Sequence, residues 1–242
     1  MFLKKQCYTN SMLTFKDTDL VLHNQIQACT TIPKNVLFLS GIPGLSSEYF
    51  LPLARILELP TTVWRIDLPD NGGNLSPRFK NFEKWFQLFL KVIKLFERPI
   101  LISHGFGGML PLMLPQMEEL LSGIILLNTA PSLPEKPTFE MGPFLEEYDF
   151  NPRPALWFQK KIIDTNYKAL WVPKTIPTLI LGGKKDEIIP FGGFHKDPQF
   201  QRQNIRIKTV PNSGHFCWLD NPSFVQKSVY SFLSDLFEAE GF

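Results

Sequence analysis

Short runs that are apolar on both faces recur along this chain, each closed by a polar or glycine- and proline-bearing turn and separated by amphipathic stretches. They restrict its fold more than any other feature. The first is Val36-Leu37-Phe38-Leu39, ended by Ser40-Gly41-Ile42-Pro43-Gly44. Thr62 to Ile66, Pro99 to Ile102, Gly123 to Leu127, Pro177 to Leu181 and Ile205 to Val210 are the further strand candidates. A strand with no polar face must be covered on both sides, as in a parallel sheet held between two helical layers. Helical spacing fills several gaps. Ser47 to Leu59 is one such stretch and Phe224 to Leu236 another. Phe79 to Phe96 carries Trp85, Phe86, Phe89, Leu90, Val92, Ile93 and Phe96 on one stripe. The alternation predicts an α/β protein with a mostly parallel central sheet and helices on both faces. Thr9 to Gln25 predicts an antiparallel hairpin at one edge. The apolar stretch after Gly108 contains Pro111 and Pro115, which predicts a short or kinked helix.

Residues 130–176 break this rhythm. The stretch is rich in proline and in aromatics, among them Phe139, Phe144, Tyr148, Phe150, Trp157, Phe158 and Trp171. It is too long for a plain connection. The division expected is a core of residues 1–129 and 177–242 with 130–176 as an inserted lid, helical around Ala155 to Lys168. Composition narrows the function classes. With 44% hydrophobic and 20% charged residues, the chain has the balance of an ordinary globular protein. A net charge of +2 gives no electrostatic case for nucleic acid or an anionic membrane, so neither is an expected partner. Cys7, Cys29 and Cys217 are odd in number and widely spaced, which fits neither a disulfide framework nor a zinc site. No metal and no cofactor are expected. No apolar run reaches the ~18–20 residues of a membrane-spanning helix. Met1 to Gln6 turns polar too soon for a signal peptide. The expectation is a soluble, cytoplasmic protein, and its 22 phenylalanines point to an apolar cavity or interface.

The turns carry the chemistry. Ser103-His104-Gly105-Phe106-Gly107-Gly108 follows a buried strand. Ser40 to Gly44 follows an earlier one, and Asp67-Leu68-Pro69 the one between. Gly183 to Pro190, with Asp186, and Ser213 to Pro222, with His215, close two late strands. In this order and spacing the five segments resemble the α/β-hydrolases: oxyanion loop, the loop following the fourth strand, nucleophile elbow, acid turn and histidine loop. The resemblance spans about residues 35–236 and implies the α/β-hydrolase fold. It further implies His215 as base, Asp186 as the acid that orients it, and backbone N–H groups of Ile42 and Phe106 as the oxyanion hole. Ser40, Gly41, Phe144 and Trp157 would touch the ligand, a small apolar ester or carbonyl compound. Ser40 stands where the family's loop usually has histidine.

The departure from the family's pattern decides the chemistry. Where Gly-x-Ser-x-Gly places its serine, this chain has Gly105, which offers no oxygen to attack a carbonyl. Positive φ at that position strains any residue with a Cβ, so glycine suits the turn while removing the nucleophile. Ser103, two residues earlier, is the substitute to consider, with a small backbone-bonded serine as the plainer account. Cys217 is a weaker substitute. His104 reads as a packing residue, His23 and His195 as surface residues, Glu187 as a less fitting acid, and Lys160 and Lys161 as a solvated face. Three readings stay open: general-base chemistry by His215 and Asp186 without an acyl-enzyme, a non-catalytic ligand-binding module of the same fold, or an inactivated variant of a serine esterase.

Overall fold

The computed structural model describes residues 11–15, 20–26, 34–41, 45–57, 61–67, 71–72, 82–130, 169, 175–189 and 191–241. Eight strands form one sheet: β1 (Ser11–Phe15), β2 (Leu20–Ile26), β3 (Asn35–Leu39), β4 (Thr62–Asp67), β5 (Ile100–His104), β6 (Gly123–Leu127), β7 (Thr178–Gly183) and β8 (Ile205–Val210). Their order is β1-β2-β4-β3-β5-β6-β7-β8. β1 and β2 pair antiparallel, and β2 runs antiparallel to β4. All pairs from β4 to β8 are parallel, as the two-sided apolar runs require.

Alternate residues of each parallel strand feed two cores. Val36, Phe38, Ile100, Ile102, Leu179 and Leu181 face one layer. It contains α1 (Leu51–Leu57), α5 (Cys217–Asp220) and α6 (Pro222–Ala239). Leu37, Leu39, Leu101, Ile124, Leu126 and Ile180 face the other. That layer contains α2 (Phe82–Ile93), α3 (Met117–Leu120) and α4 (Gly193–Lys196). On α2, Phe89, Val92 and Ile93 are fully buried, each contributing roughly 1.5–3 kcal/mol.

Two helices differ from the expectation. The stretch after β5 is not one helix. It forms 3-10 turns at Gly105–Met109 and Pro111–Met113, followed by the four-residue α3. Pro111 and Pro115 supply no N–H, and Gly107 and Gly108 hold a helix weakly, so the backbone breaks where the ladder would need them. α6 begins two residues before Phe224, because the Asn221 side chain accepts the Phe224 N–H and Pro222 occupies the first turn.

Strand order reverses at β3: the chain passes from it to β4 on one side, then crosses back to β5 on the other. In such sheets the loops at the carboxyl ends of the two diverging strands border the binding crevice. Ser40 and Gly41 and the Gly105 turn stand at those ends. The lid expected over 130–176 falls, apart from residues 130, 169, 175 and 176, outside the described residues, as do Phe144, Trp157 and Ile42. Among the described residues no helix is long and apolar enough to cross a membrane.

Candidate active site

β5 ends at His104, and the chain leaves it through Gly105 at φ +53°. A side chain in this left-handed region costs about 1–2 kcal/mol, so the turn favours glycine. The loop after β3 is pressed against the same turn. A Cβ on Gly41 would stand 1.3 Å from the His104 carbonyl oxygen, and one on Gly107 would stand 2.7 Å from the Gly41 Cα. Backbone meets backbone at both points, which leaves room for glycine alone. Gly105 is different. A Cβ there would meet nothing nearer than His215 Nε2 at 3.7 Å, Gly41 O at 3.8 Å and His215 Cε1 at 3.8 Å. The direction a side chain would take from residue 105 therefore points at the imidazole.

That imidazole is held from behind. The Asp186 turn is stitched to the His215 loop by the Lys185 N–H donating to Ser213 O at 2.8 Å. Asp186 Oδ1 accepts the Ile188 and Ile189 N–H groups at 3.0 and 2.9 Å. Oδ2 accepts Asn128 Nδ2 at 2.8 Å. His215 Nδ1 lies 3.0 Å from Oδ2 and 3.2 Å from Oδ1. Burial pushes the Asp186 carboxyl up, but the His215 hydrogen bond and charge, the Ile189 N–H and the Asn128 amide outweigh it and hold it below the usual range. An ionised carboxylate only accepts, so Nδ1 carries a proton and donates it, and Nε2 is the ring nitrogen nearest residue 105. Glu187, beside it, is exposed, so Asp186 is the acid of this pair.

His104 does more than pack. It is fully buried, and its Nε2 lies 3.0 Å from the His215 carbonyl oxygen, which can only accept. Nε2 must therefore carry the proton, and Nδ1 accepts from the Tyr49 hydroxyl at 3.1 Å. The Tyr49 oxygen in turn accepts the Gly41 N–H at 3.2 Å. Burial, with His215 nearby, keeps His104 well below its ordinary pKa and hence neutral. One chain of hydrogen bonds thus links the loop after β3 to the backbone of His215.

The remaining expected residues fall as follows. Phe106 is buried in the 3-10 turn next to Gly105. Ser40 is buried and donates to Leu45 O at 3.3 Å, and its side chain also bonds the Tyr49 hydroxyl, so it supports both its own loop and the Tyr49–His104 chain. Ser103 is fully buried on β5, and its Oγ has no hydrogen-bond partner among the described residues. It is neither bonded to His215 nor backbone-bonded as expected; it shares the sheet face of Leu101, opposite His104. Cys217 is fully buried and its thiol is pushed up by burial, with Asp186 and Asp220 adding to the effect, which makes a poor thiolate. His195 is exposed and bonds Thr209 Oγ1 at 2.8 Å. Asn128 and Tyr49 were not among the expected site residues. Neither lies in a recognisable motif, and each reaches the site only through the fold.

The family model for the alpha/beta hydrolase family matches residues 36–173, more than half of the chain. The chain belongs to the alpha/beta hydrolase family. The matched residues include the loop after β3 and the Gly105 turn; Asp186 and His215 lie beyond them. No curated protein matches this alpha/beta hydrolase-family chain in sequence. In structure it is similar to an esterase from Exiguobacterium antarcticum, with a TM-score of 0.73 at 16% identity over 93% of this chain and 100% of that one. A proline iminopeptidase-related protein from Thermus thermophilus gives a TM-score of 0.72 at 17% identity over 96% and 99%. The 2-hydroxy-6-oxo-6-phenylhexa-2,4-dienoate hydrolase of a Rhodococcus species gives 0.69 at 14% over 95% and 100%. At such identities the likeness speaks for the fold.

Proposed function

We propose that this family member binds a small apolar ester or carbonyl compound and acts on it without an acyl-enzyme. Residue 105 takes the family's nucleophile position and leaves it without an oxygen. His215, oriented and charge-balanced by Asp186, is the general base. The observation that carries this reading is the pairing of a well-bonded carboxylate–imidazole dyad with room for a side-chain atom in front of Nε2, where a Cβ on Gly105 would lie 3.7 Å away in ordinary contact. A water held there gives its proton to Nε2 as its oxygen adds to the carbonyl carbon. Backbone N–H groups of Ile42 and Phe106 hold the developing oxyanion, and the proton then passes from His215 to the leaving oxygen. Base catalysis of this kind supplies ~10²–10⁴-fold, a modest rate. The esterase and hydrolase among the structural neighbours support a carbonyl substrate, and the segment 130–176 is the lid that would select it.

The test uses the unaltered chain. A fluorophosphonate probe should not label it, and p-nitrophenyl acetate should be cleaved slowly in a manner abolished by His215→Ala. Covalent labelling of wild type would overturn the missing nucleophile. Equal, background-level rates in wild type and His215→Ala would favour the second reading, a ligand-binding module of the same fold. The absence of any side-chain oxygen at residue 105 is the observation in that reading's favour.

A further inference from the structure

Asn128 follows β6 immediately and sits at φ +46°, one of four non-glycine residues at positive φ among the described residues. Asparagine tolerates this region better than most residues because its short polar side chain can bond locally. Here the side chain bonds at long range instead. Asn128 is fully buried, and its main-chain N–H donates to Leu181 O of β7 at 2.7 Å. Its side-chain nitrogen donates to Asp186 Oδ2 at 2.8 Å and to Gly214 O at 2.9 Å. Both partners only accept, so the amide orientation is determined by them. One residue thus holds three segments: the end of β7, the turn that bears the acid, and the peptide that enters His215.

We infer that Asn128 is a positioning residue for the His215–Asp186 pair, setting both the plane of the carboxylate and the place of the imidazole that faces it. The inference rests on the reading of His215 as general base. Two backbone donors fix Asp186 Oδ1, but Oδ2, the oxygen nearer to His215 Nδ1, has Asn128 as its other donor. The bond to Gly214 O fixes the residue directly before the base. Without the amide, the Lys185 N–H to Ser213 O bond still joins the two loops through their backbones, but the carboxylate and imidazole themselves meet only through the bond whose geometry matters most. The Oδ1 of Asn128 has no partner among the described residues. A buried amide with an orphaned oxygen at strained backbone is poorly explained by stability alone, and better by what its two N–H groups do.

Two variants test this in the full-length chain. Asn128→Gly removes the amide and relieves the positive φ, so it should fold. Asn128→Asp keeps the shape, removes both donors and sets a second carboxylate against Asp186. The readout is the His215 Nδ1–H proton by NMR at neutral pH. It is expected far downfield of the amide envelope in wild type and broadened or shifted upfield in both variants. An unchanged resonance in both variants overturns the inference, and so does its absence from wild type. A second arm places Asn128→Gly in a Gly105→Ser background and measures the rate of fluorophosphonate capture. A fall of about 10–100-fold is expected, by analogy with the loss of an outer hydrogen bond that orients a metal-ligating histidine. An unchanged rate would overturn the role. If Gly105→Ser is not captured at all, the general-base reading fails instead, and the ring-proton arm still decides on Asn128.

Discussion

Replacing Gly105 by serine probes the site at a single atom. The residue sits at φ +53°, where a Cβ costs about 1–2 kcal/mol. Crowding adds little, since the three nearest heavy atoms would be 3.7, 3.8 and 3.8 Å away, ordinary contact distances. For a chain of this size each kcal/mol moves the unfolding midpoint by about 2–4 °C, so Gly105→Ser should melt roughly 2–8 °C lower. The new hydroxyl, one bond beyond that Cβ, falls within hydrogen-bond reach of His215 Nε2. Loss of the serine from a complete triad costs about 10⁶-fold, and an untuned site regains only part of that. Fluorophosphonate capture and p-nitrophenyl ester cleavage should rise at least ~100-fold. Gly105→Ala is the control, with the same fall in midpoint and no gain in reactivity. Differential scanning fluorimetry and single-turnover labelling read the two quantities separately. An unchanged midpoint in both variants would refute the left-handed backbone. A folded Gly105→Ser that resists capture would refute the aim of the Nε2 lone pair.

Gly41→Ala should destabilise the chain by at least about 3 kcal/mol in urea unfolding, because the added carbon would lie 1.3 Å from a backbone oxygen that cannot swing away. A loss below about 1 kcal/mol would mean that the two loops do not touch. Tyr49→Phe removes the donor to His104 Nδ1 and the acceptor of the Gly41 N–H, and should cost about 1–3 kcal/mol; wild-type stability in that variant would contradict the bonded chain. His104 is held neutral well below its ordinary 6.5, so as pH falls through 6.5 the unfolded chain takes up a proton that the folded chain refuses. Stability is then lost with acidification at up to about 1.4 kcal/mol per pH unit, and His104→Gln should show a shallower loss between pH 7 and 5. Parallel curves for the two proteins would show that His104 is protonated in the fold.

The strands β3, β5, β6 and β7 can be read directly, because a strand covered on both faces leaves an apolar run, whereas β8 at the sheet edge carries Arg206 and Lys208 and β4 carries Arg65. The stretch after Gly108 was harder. Its prolines announced a break, but whether the remainder would wind as α or as 3-10 depended on packing beneath the sheet ends. His215 and Asp186 were legible because their turns need glycine and proline at particular places, and those residues punctuate the sequence. Asn128 and Tyr49 were not. The side-chain bonds of Asn128 reach 58 and 86 positions along the chain, and the Tyr49–His104 contact spans 55. No local spacing rule reports on such distances. The bonding of Ser103 Oγ is not legible locally either, because a strand side chain meets the layer packed on its face of the sheet.

Residue order alone decided two things here: that a two-sided parallel sheet must form, and that position 105 offers no oxygen. Both follow from local chemistry, the burial preference of apolar runs and the bare α-carbon of glycine. The folded arrangement decided the rest. That Nε2 lies where a side chain at residue 105 would point, that Asp186 keeps its charge while buried, and that Asn128 ties Asp186 to the His215 loop all depend on groups brought together from separate strands. Hydrogen bonding and desolvation act through space over a few ångströms, and only the fold says which residues those few ångströms contain.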